Sequence, residues 1–191
     1  MGYKTTTDIY SLRARNTMTV ASGAANTSSY AVIETGLDSI NREVLLIWEV
    51  DFQGGSLGTQ IGNIVGDPAT ASYNHQLSLL KEQENLTLDE VGCVAISQRS
   101  ATSAPFTVGP GGKILSSDIE YSPETTTFAS QVSMDAPLGI VVGPYVYFRQ
   151  GLAIDSATVT ADTIISGVRI MVQRAKADAD TYAALLQGYA L

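Results

Sequence analysis

The feature that most constrains the fold is one long alternating stretch, Glu43 to Gln53. Read with a period of two, one face carries Val44, Leu46, Trp48, Val50 and Phe52. The opposite face carries Glu43, Leu45, Ile47, Glu49 and Asp51. A strand of this length with one fully apolar side needs a second layer of sheet to cover it, and Gly54-Gly55 ends it. The stretch therefore predicts a β-rich domain built around this strand.

Shorter alternating segments lie on both sides of this strand, and turns rich in Gly, Pro and Ser separate them. They predict about eight or nine strands at a spacing of about ten residues, without alternating helices. Besides the Glu43 stretch, the predicted strands include Tyr30 to Glu34, His75 to Glu82, Val91 to Gln98, Lys113 to Tyr121, Thr125 to Met134 and Thr163 to Arg174. The predicted fold class is all-β, an antiparallel two-sheet sandwich.

The period changes after the last predicted strand. Ala177-Asp178-Ala179-Asp180 has the acidic residues that favour a helix N-terminus. Apolar side chains then recur at i, i+3, i+4 and i+7, which predicts a short amphipathic helix at the C-terminus. These four residues are also the candidate assembly contacts: Tyr182, Leu185, Leu186 and Tyr189.

The chain is predicted to have three parts. Residues 1–29 are polar and rich in Thr, Ser and Ala, with a short strand predicted at Met18 to Ser22, so we expect an N-terminal arm. Residues 30–175 form the sandwich domain, and residues 176–191 form the C-terminal helix. A single sandwich domain is the usual arrangement for 191 residues.

Charge excludes one large class of function. The net charge is −8, and the 11 basic residues are scattered, whereas a protein that binds phosphate backbones needs clustered Lys and Arg. Only 16% of the residues are charged, against about 25% in a typical soluble domain. A weakly charged surface suits a protein whose sides are covered by neighbouring molecules. It also suits an ordinary sandwich with small surface residues.

Catalytic and metal-binding groups are few, and we predict neither an enzyme nor a cofactor. The single histidine, His75, is expected to be structural or at the surface, and the single cysteine, Cys93, to be a buried, inert thiol. Glu49 and Asp51 share a strand face and are a weak candidate for Ca²⁺ if a loop supplies a third oxygen ligand. A solvated or partner-facing acidic rim is the favoured interpretation of this pair.

Two further patterns leave alternatives open. Tyr145 and Tyr147 alternate with Phe148, so the two tyrosines could stack on a sugar or could pack in the core. At the N-terminus, Gly2 with Thr6 fits a loose pattern for myristoylation, which chance explains equally well. No apolar run reaches the ~20 residues needed to span a bilayer.

A family resemblance rests on the last 55 or so residues of the chain. The series Ala136-Pro137-Leu138, Gly139-Ile140-Val141-Val142 and Gly143-Pro144-Tyr145-Val146-Tyr147-Phe148 resembles the strand-turn-strand near the end of single jelly-roll viral capsid proteins. The final strand, Val168 to Val172, and its closing helix are similar in placement. The resemblance implies a jelly-roll sandwich without catalytic residues.

The resemblance also implies partners and a location. The expected function is a structural capsid protein that assembles with copies of itself, and with other virion proteins, into the shell of a virion. Residues 1–29 hold only three basic residues, Lys4, Arg13 and Arg15, so direct condensation of nucleic acid is not expected. Contact with a membrane stays open. The alternative function is a carbohydrate-binding or adhesion sandwich that uses Tyr145 and Tyr147.

Overall fold

A computed structural model of the chain describes residues 2–54, 69–81, 92–103, 107–108, 114–116, 119–120, 136–156 and 161–189. These residues form twelve strands and one helix. The strands are β1 (Tyr3–Thr5), β2 (Tyr10–Val20), β3 (Asn26–Glu34), β4 (Glu43–Gly54), β5 (Ala69–Ser78), β6 (Cys93–Ser103), β7 (Thr107–Val108), β8 (Ile114–Ser116), β9 (Ile119–Glu120), β10 (Gly139–Val141), β11 (Tyr145–Ser156) and β12 (Asp162–Ala177). The helix is α1 (Ala179–Tyr189).

The strands form two main antiparallel sheets and one small pair. In the first sheet the order is β12, β4, β10, and both β1 and β2 pair with the remaining edge of β12. In the second sheet the order is β3, β11, β5, β6, β9. The short strands β7 and β8 pair only with each other in the described part of the chain.

The chain passes between the two sheets in a regular sequence. β2, β4, β10 and β12 belong to the first sheet, whereas β3, β5, β6 and β11 belong to the second. Along the chain, each of these eight strands therefore lies in the opposite sheet from the strand before it. The one exception is β6, which lies next to β5 in the second sheet. Two four-stranded sheets connected in this way define an eight-stranded jelly roll. The prediction of an all-β, antiparallel two-sheet sandwich of the jelly-roll type with a C-terminal helix is confirmed.

The segment that carries the capsid-like resemblance is a strand, a turn and a strand, as predicted. Its two strands, β10 and β11, lie in different sheets, so the Val142-Gly143-Pro144 turn crosses from one layer to the other. Thr35, just after β3, holds this turn. Its hydroxyl donates to the Gly143 carbonyl at 3.0 Å, and its N–H donates to the Pro144 carbonyl at 2.9 Å.

The long central strand does not keep one alternation, contrary to prediction. β4 pairs with β12, and the register shifts so that Met171 lies opposite Glu49 while Val172 lies opposite Ile47. Trp48 is therefore the extra residue of a β-bulge, which reverses the faces of the residues that follow. The residues of β4 that point into the core between the sheets are Leu45, Ile47, Val50 and Phe52. Val44, Leu46 and Trp48 lie on the outer face, in a separate cluster.

The N-terminal residues lie in the sheet and do not form an arm. β2 extends over eleven residues, beyond the predicted short strand, and Asn16, Met18 and Val20 are buried at alternate positions. Because β2 contains many small and polar residues, its alternation of buried and exposed positions is hard to recognise in the sequence. Residues 125–134, predicted as a strand, lie outside the described residues.

Candidate interaction surfaces

Helix α1 covers one end of the outer face of the first sheet. Its N-terminus is capped by Asp178, whose Oδ1 accepts the Thr181 N–H at 2.8 Å. This hydrogen bond from the backbone and a second one from the Thr181 side chain lower the pKa of the Asp178 carboxyl below its ordinary value. The predicted cap is therefore present, and the charge of the carboxylate also suits the helix dipole.

The helix uses its apolar face inside its own chain. Tyr182 is buried at 8% exposure in a cluster with β4 residues Val44 and Leu46. Leu185 packs against the same cluster. Tyr182 therefore has little surface left for another molecule, whereas Leu185 is only partly buried, and the role of both residues as assembly contacts stays a prediction. Leu186 is 45% exposed and stays a candidate contact.

Tyr189 ends the helix, and its side chain lies outside the described part of the chain. Its role as an assembly contact therefore stays a prediction.

A second surface lies on the outer face of the second sheet, where β3 pairs with β11. Val32 lies directly opposite Tyr147, and Tyr30 and Tyr145 lie in the adjacent rows. We call these four residues the aromatic patch. Tyr30, Val32 and Tyr145 are between 43% and 48% exposed, and the Tyr30 ring meets the Tyr147 ring edge to face at 6.0 Å between centroids. Large apolar side chains gathered on one face mark an interaction surface.

Sequence analysis found half of this patch. The alternation around Phe148 correctly placed Tyr145 and Tyr147 on one face, and Phe148 is fully buried on the other. Tyr30 and Val32 were missed because they lie more than a hundred residues away, with no local signal that β3 pairs with β11. The alternation of Tyr30 and Val32 with Ala31 and Ile33 was the available sign that they point outward.

The aromatic patch borders an open sheet edge. Within the described residues, β3 pairs on one side only, with β11. Proteins usually protect such an edge with lysine, proline or a bulge. β3 contains none of these along nine residues and has a single charge, at Glu34. In that part of the chain no strand pairs with the outer edge of β3, so a strand of another molecule can pair there.

A polar layer crosses the core between two apolar clusters. On β11, Gln150 lies between Phe148 in the larger cluster and Leu152 in the smaller one. On β5, His75 lies in the same way between Leu77 and Tyr73.

His75 is 1% exposed, and its ring packs against the rings of Phe52 and Phe148, with centroid distances of 5.5 and 5.6 Å; the two phenylalanine rings are 6.0 Å apart, so the three form a triangle. It is thus a structural histidine of the core. A base that acts on a substrate must be reachable by that substrate, and His75 is not.

Glu49 and Asp51 share the outer face of β4, as predicted. Arg169 of β12 lies between them, with its Nη2 atom 3.4 Å from the Glu49 carboxylate and 3.3 Å from that of Asp51. A guanidinium is therefore already ion-paired with both carboxylates that were the weak candidate for Ca²⁺. The described residues contain no group of three or more His, Cys, Asp or Glu side chains able to hold a metal ion.

Cys93 differs from its predicted state in one respect. It is the first residue of β6 and is only half-buried, with Sγ 3.8 Å from the Ala95 carbonyl. The start of a strand is less covered than its middle, which accounts for the partial exposure.

The described residues contain no helix that is long and apolar enough to cross a membrane.

The fold and these surfaces define a jelly-roll protein with an exposed aromatic face and an open edge. Solved structures with a similar overall shape include VP1 of Trichodysplasia spinulosa-associated polyomavirus, at 9% identity and a TM-score of 0.46 over 93% of this chain and 99% of that one. VP1 of chimpanzee polyomavirus, at 7% identity, has a TM-score of 0.47 over the same shares. No protein-family profile and no curated protein matches the chain. At these identities and scores the likeness defines no function, and the assignment of the fold rests on the strand order.

Proposed function

We propose that this chain is a structural capsid protein that associates with copies of itself to build the shell of a virion. The observation that carries the proposal is the aromatic patch beside the open edge of β3. Three large apolar side chains more than two-fifths exposed on one face, beside a strand edge that has no partner among the described residues, favour a surface that another molecule covers. The jelly roll is a fold that viral capsids use.

Charge and composition support the same function. The low charged fraction of 16% leaves surfaces that can approach one another at a modest desolvation cost. The net charge of −8 argues against direct condensation of nucleic acid, so a genome would be held by another component of the particle. Other virion proteins are partners in the proposal on this ground.

The experiment is to measure the assembly state of the purified chain. Light scattering coupled to size exclusion, followed by electron microscopy, should reveal closed oligomers or shells whose population rises with protein concentration. A Val32→Asp variant places a charge in the aromatic patch and should reduce assembly. Ile40→Asp is the matched control, because Ile40 is also an exposed apolar residue, at 91%, but lies in the turn before β4.

Two results would contradict the proposal. One is a wild-type chain that stays monomeric at every salt concentration and pH tested. The other is a Val32→Asp variant that assembles as well as Ile40→Asp while both keep the thermal unfolding midpoint of the wild type.

A second function uses the same surface. Exposed Tyr145, together with Tyr30 and Tyr147, could stack on a sugar ring, as in a carbohydrate-binding or adhesion sandwich. A glycan array discriminates between the two functions. Sugar binding by a monomeric chain, lost in Tyr145→Ala, would favour the sugar-binding function. A chelator should not change this binding, because Arg169 is ion-paired with Glu49 and Asp51.

A further inference from the structure

The outer face of the first sheet has a depression beyond the area that α1 covers. Gly167 of β12 lies between Arg15 of β2 and Gln53 of β4 in the strand register, and its missing side chain leaves a gap. Arg13 and Ile165 complete the rim. The volume of about 470 Å³ is large enough for a side chain with its charged end group.

The depression is a positively charged site on an acidic protein. Arg169 in the next row is already bound by Glu49 and Asp51. Arg13 and Arg15 are exposed, and no acidic side chain of the described residues lies within ion-pair distance of either. Among the described residues around the depression, three arginines against two carboxylates leave a local charge of +1, whereas the whole chain carries −8.

The chemistry of the rim indicates the kind of ligand. Guanidinium groups form paired, charge-assisted hydrogen bonds with carboxylates. The Gln53 amide on the opposite side already donates to Asp51 Oδ2 at 2.9 Å, so the two arginines supply the donors for a ligand. Ile165, at 37% exposure, offers an apolar surface for the methylene groups of an acidic side chain. Two arginines are too few to hold a nucleic-acid backbone.

We propose that the depression over Gly167 is a carboxylate-binding site that takes an acidic side chain from a second copy of this chain. The inference rests on the self-association proposed above. Copies that each carry −8 repel one another, and acidic residues outnumber basic ones by 19 to 11. A positive site on each copy that meets a carboxylate on its neighbour offsets this repulsion and orients the contact.

The test compares three variants with the wild type. Arg15→Gln removes one guanidinium, and Gly167→Val fills the depression without changing the charge. A Cβ at residue 167 would lie 3.4 Å from the Ala14 carbonyl oxygen and 4.0 Å from Gln53 Cβ, which are ordinary contacts, so the strand should fold normally. Lys81→Gln is the control, since it removes one positive charge at an exposed position elsewhere.

Association constants from light scattering at low salt give the readout. We expect Arg15→Gln and Gly167→Val each to weaken association about tenfold and Lys81→Gln to match the wild type. Succinate added to the wild type should compete with the contact. If both site variants associate as well as Lys81→Gln while keeping the wild-type unfolding midpoint, the inference is overturned and the proposed self-association still stands.

A wild-type chain that never associates gives a different outcome. It overturns the proposed function and, with it, the second copy as the source of the carboxylate. Titration of the monomer with succinate, followed by NMR of the Arg13 and Arg15 side-chain N–H groups, then tests whether the depression binds a free carboxylate. Saturable shifts that Gly167→Val removes would establish a carboxylate site for a free ligand, and unchanged spectra would exclude the site altogether.

Discussion

The hydroxyl of Tyr73 donates a hydrogen bond of 2.7 Å to Oε1 of Gln150 across the middle of the second sheet. Both side chains are fully buried. Ser166, from the first sheet, donates to the same oxygen at 2.7 Å, and Nε2 of His75 lies 2.9 Å from the Tyr73 hydroxyl. Since Tyr73 uses its proton for Gln150, the His75 ring must donate through Nε2. The two sheets are therefore joined through one amide oxygen at the centre of the core.

This arrangement predicts how much the Tyr73 hydroxyl contributes to the stability of the fold. Tyr73→Phe removes a donor to Gln150 and the acceptor of His75 inside the core, so the free energy of unfolding in urea should fall by about 1 to 3 kcal/mol. Tyr145→Phe is the control, because its hydroxyl is on an exposed side chain, and it should change stability by less than about 0.5 kcal/mol. Equal stabilities of the two variants would contradict a stabilising role for the polar layer.

The docking of α1 can be tested with the only tryptophan as a reporter. Tyr182→Ala should reduce the free energy of unfolding by about 3 kcal/mol, because it removes a large side chain from the cluster under the helix. Trp48 packs against that cluster, so its fluorescence should move to longer wavelength as water enters. Leu186→Ala, on the exposed side of α1, should leave both the stability and the spectrum nearly unchanged. If Tyr182→Ala leaves the Trp48 spectrum unchanged, the docking of α1 does not depend on this contact.

The cap of α1 predicts a dependence on pH with a defined sign. The pKa of Asp178 is lower in the folded chain than its ordinary value of 3.8, so its contribution to stability is complete above that value. The contribution is lost as the pH falls below 3.8 toward the folded pKa.

Asp178→Asn keeps a capping side chain but cannot titrate. The stability difference between wild type and Asp178→Asn, measured by urea unfolding, should therefore shrink in this acid range. Asp178→Ala lacks the cap and should be less stable than Asp178→Asn at every pH. A difference that stays constant from neutral to strongly acid pH would argue against the ionised cap.

The salt bridges from Arg169 to Glu49 and Asp51 lead to two predictions, one on stability and one on calcium. Arg169→Gln should lower the free energy of unfolding by at most about 1 kcal/mol at low salt, and high salt should reduce this loss because the three groups are partly exposed. Calcium or a chelator should not move the unfolding midpoint of the wild type, since the guanidinium lies where a cation would bind. A calcium-dependent rise in that midpoint would mean that the carboxylates bind metal despite Arg169.

Local patterns account well for β12 and α1. The last predicted strand, Thr163 to Arg174, lies within β12, and Ile164, Ser166, Val168, Ile170 and Val172 are buried at alternate positions, because a strand between two neighbours keeps its period. The helix start was visible at Asp178 because capping depends on residues within one turn. His75 and the arm were harder to predict. A buried histidine and a surface one look alike in sequence, and β2 has small inward residues that weaken its pattern.

The sequence by itself determined the class of the fold, the central strand and the capped terminal helix, because period and capping are set by neighbours along the chain. Only the tertiary structure decided which strands pair and which surfaces remain open. The bulge at Trp48 arises from the pairing of β4 with β12, and it turned Val50 and Phe52 inward while Val44 and Leu46 face the helix. The aromatic patch and the depression over Gly167 likewise join residues more than a hundred positions apart, and such contacts depend on strand register, which local side-chain patterns do not encode.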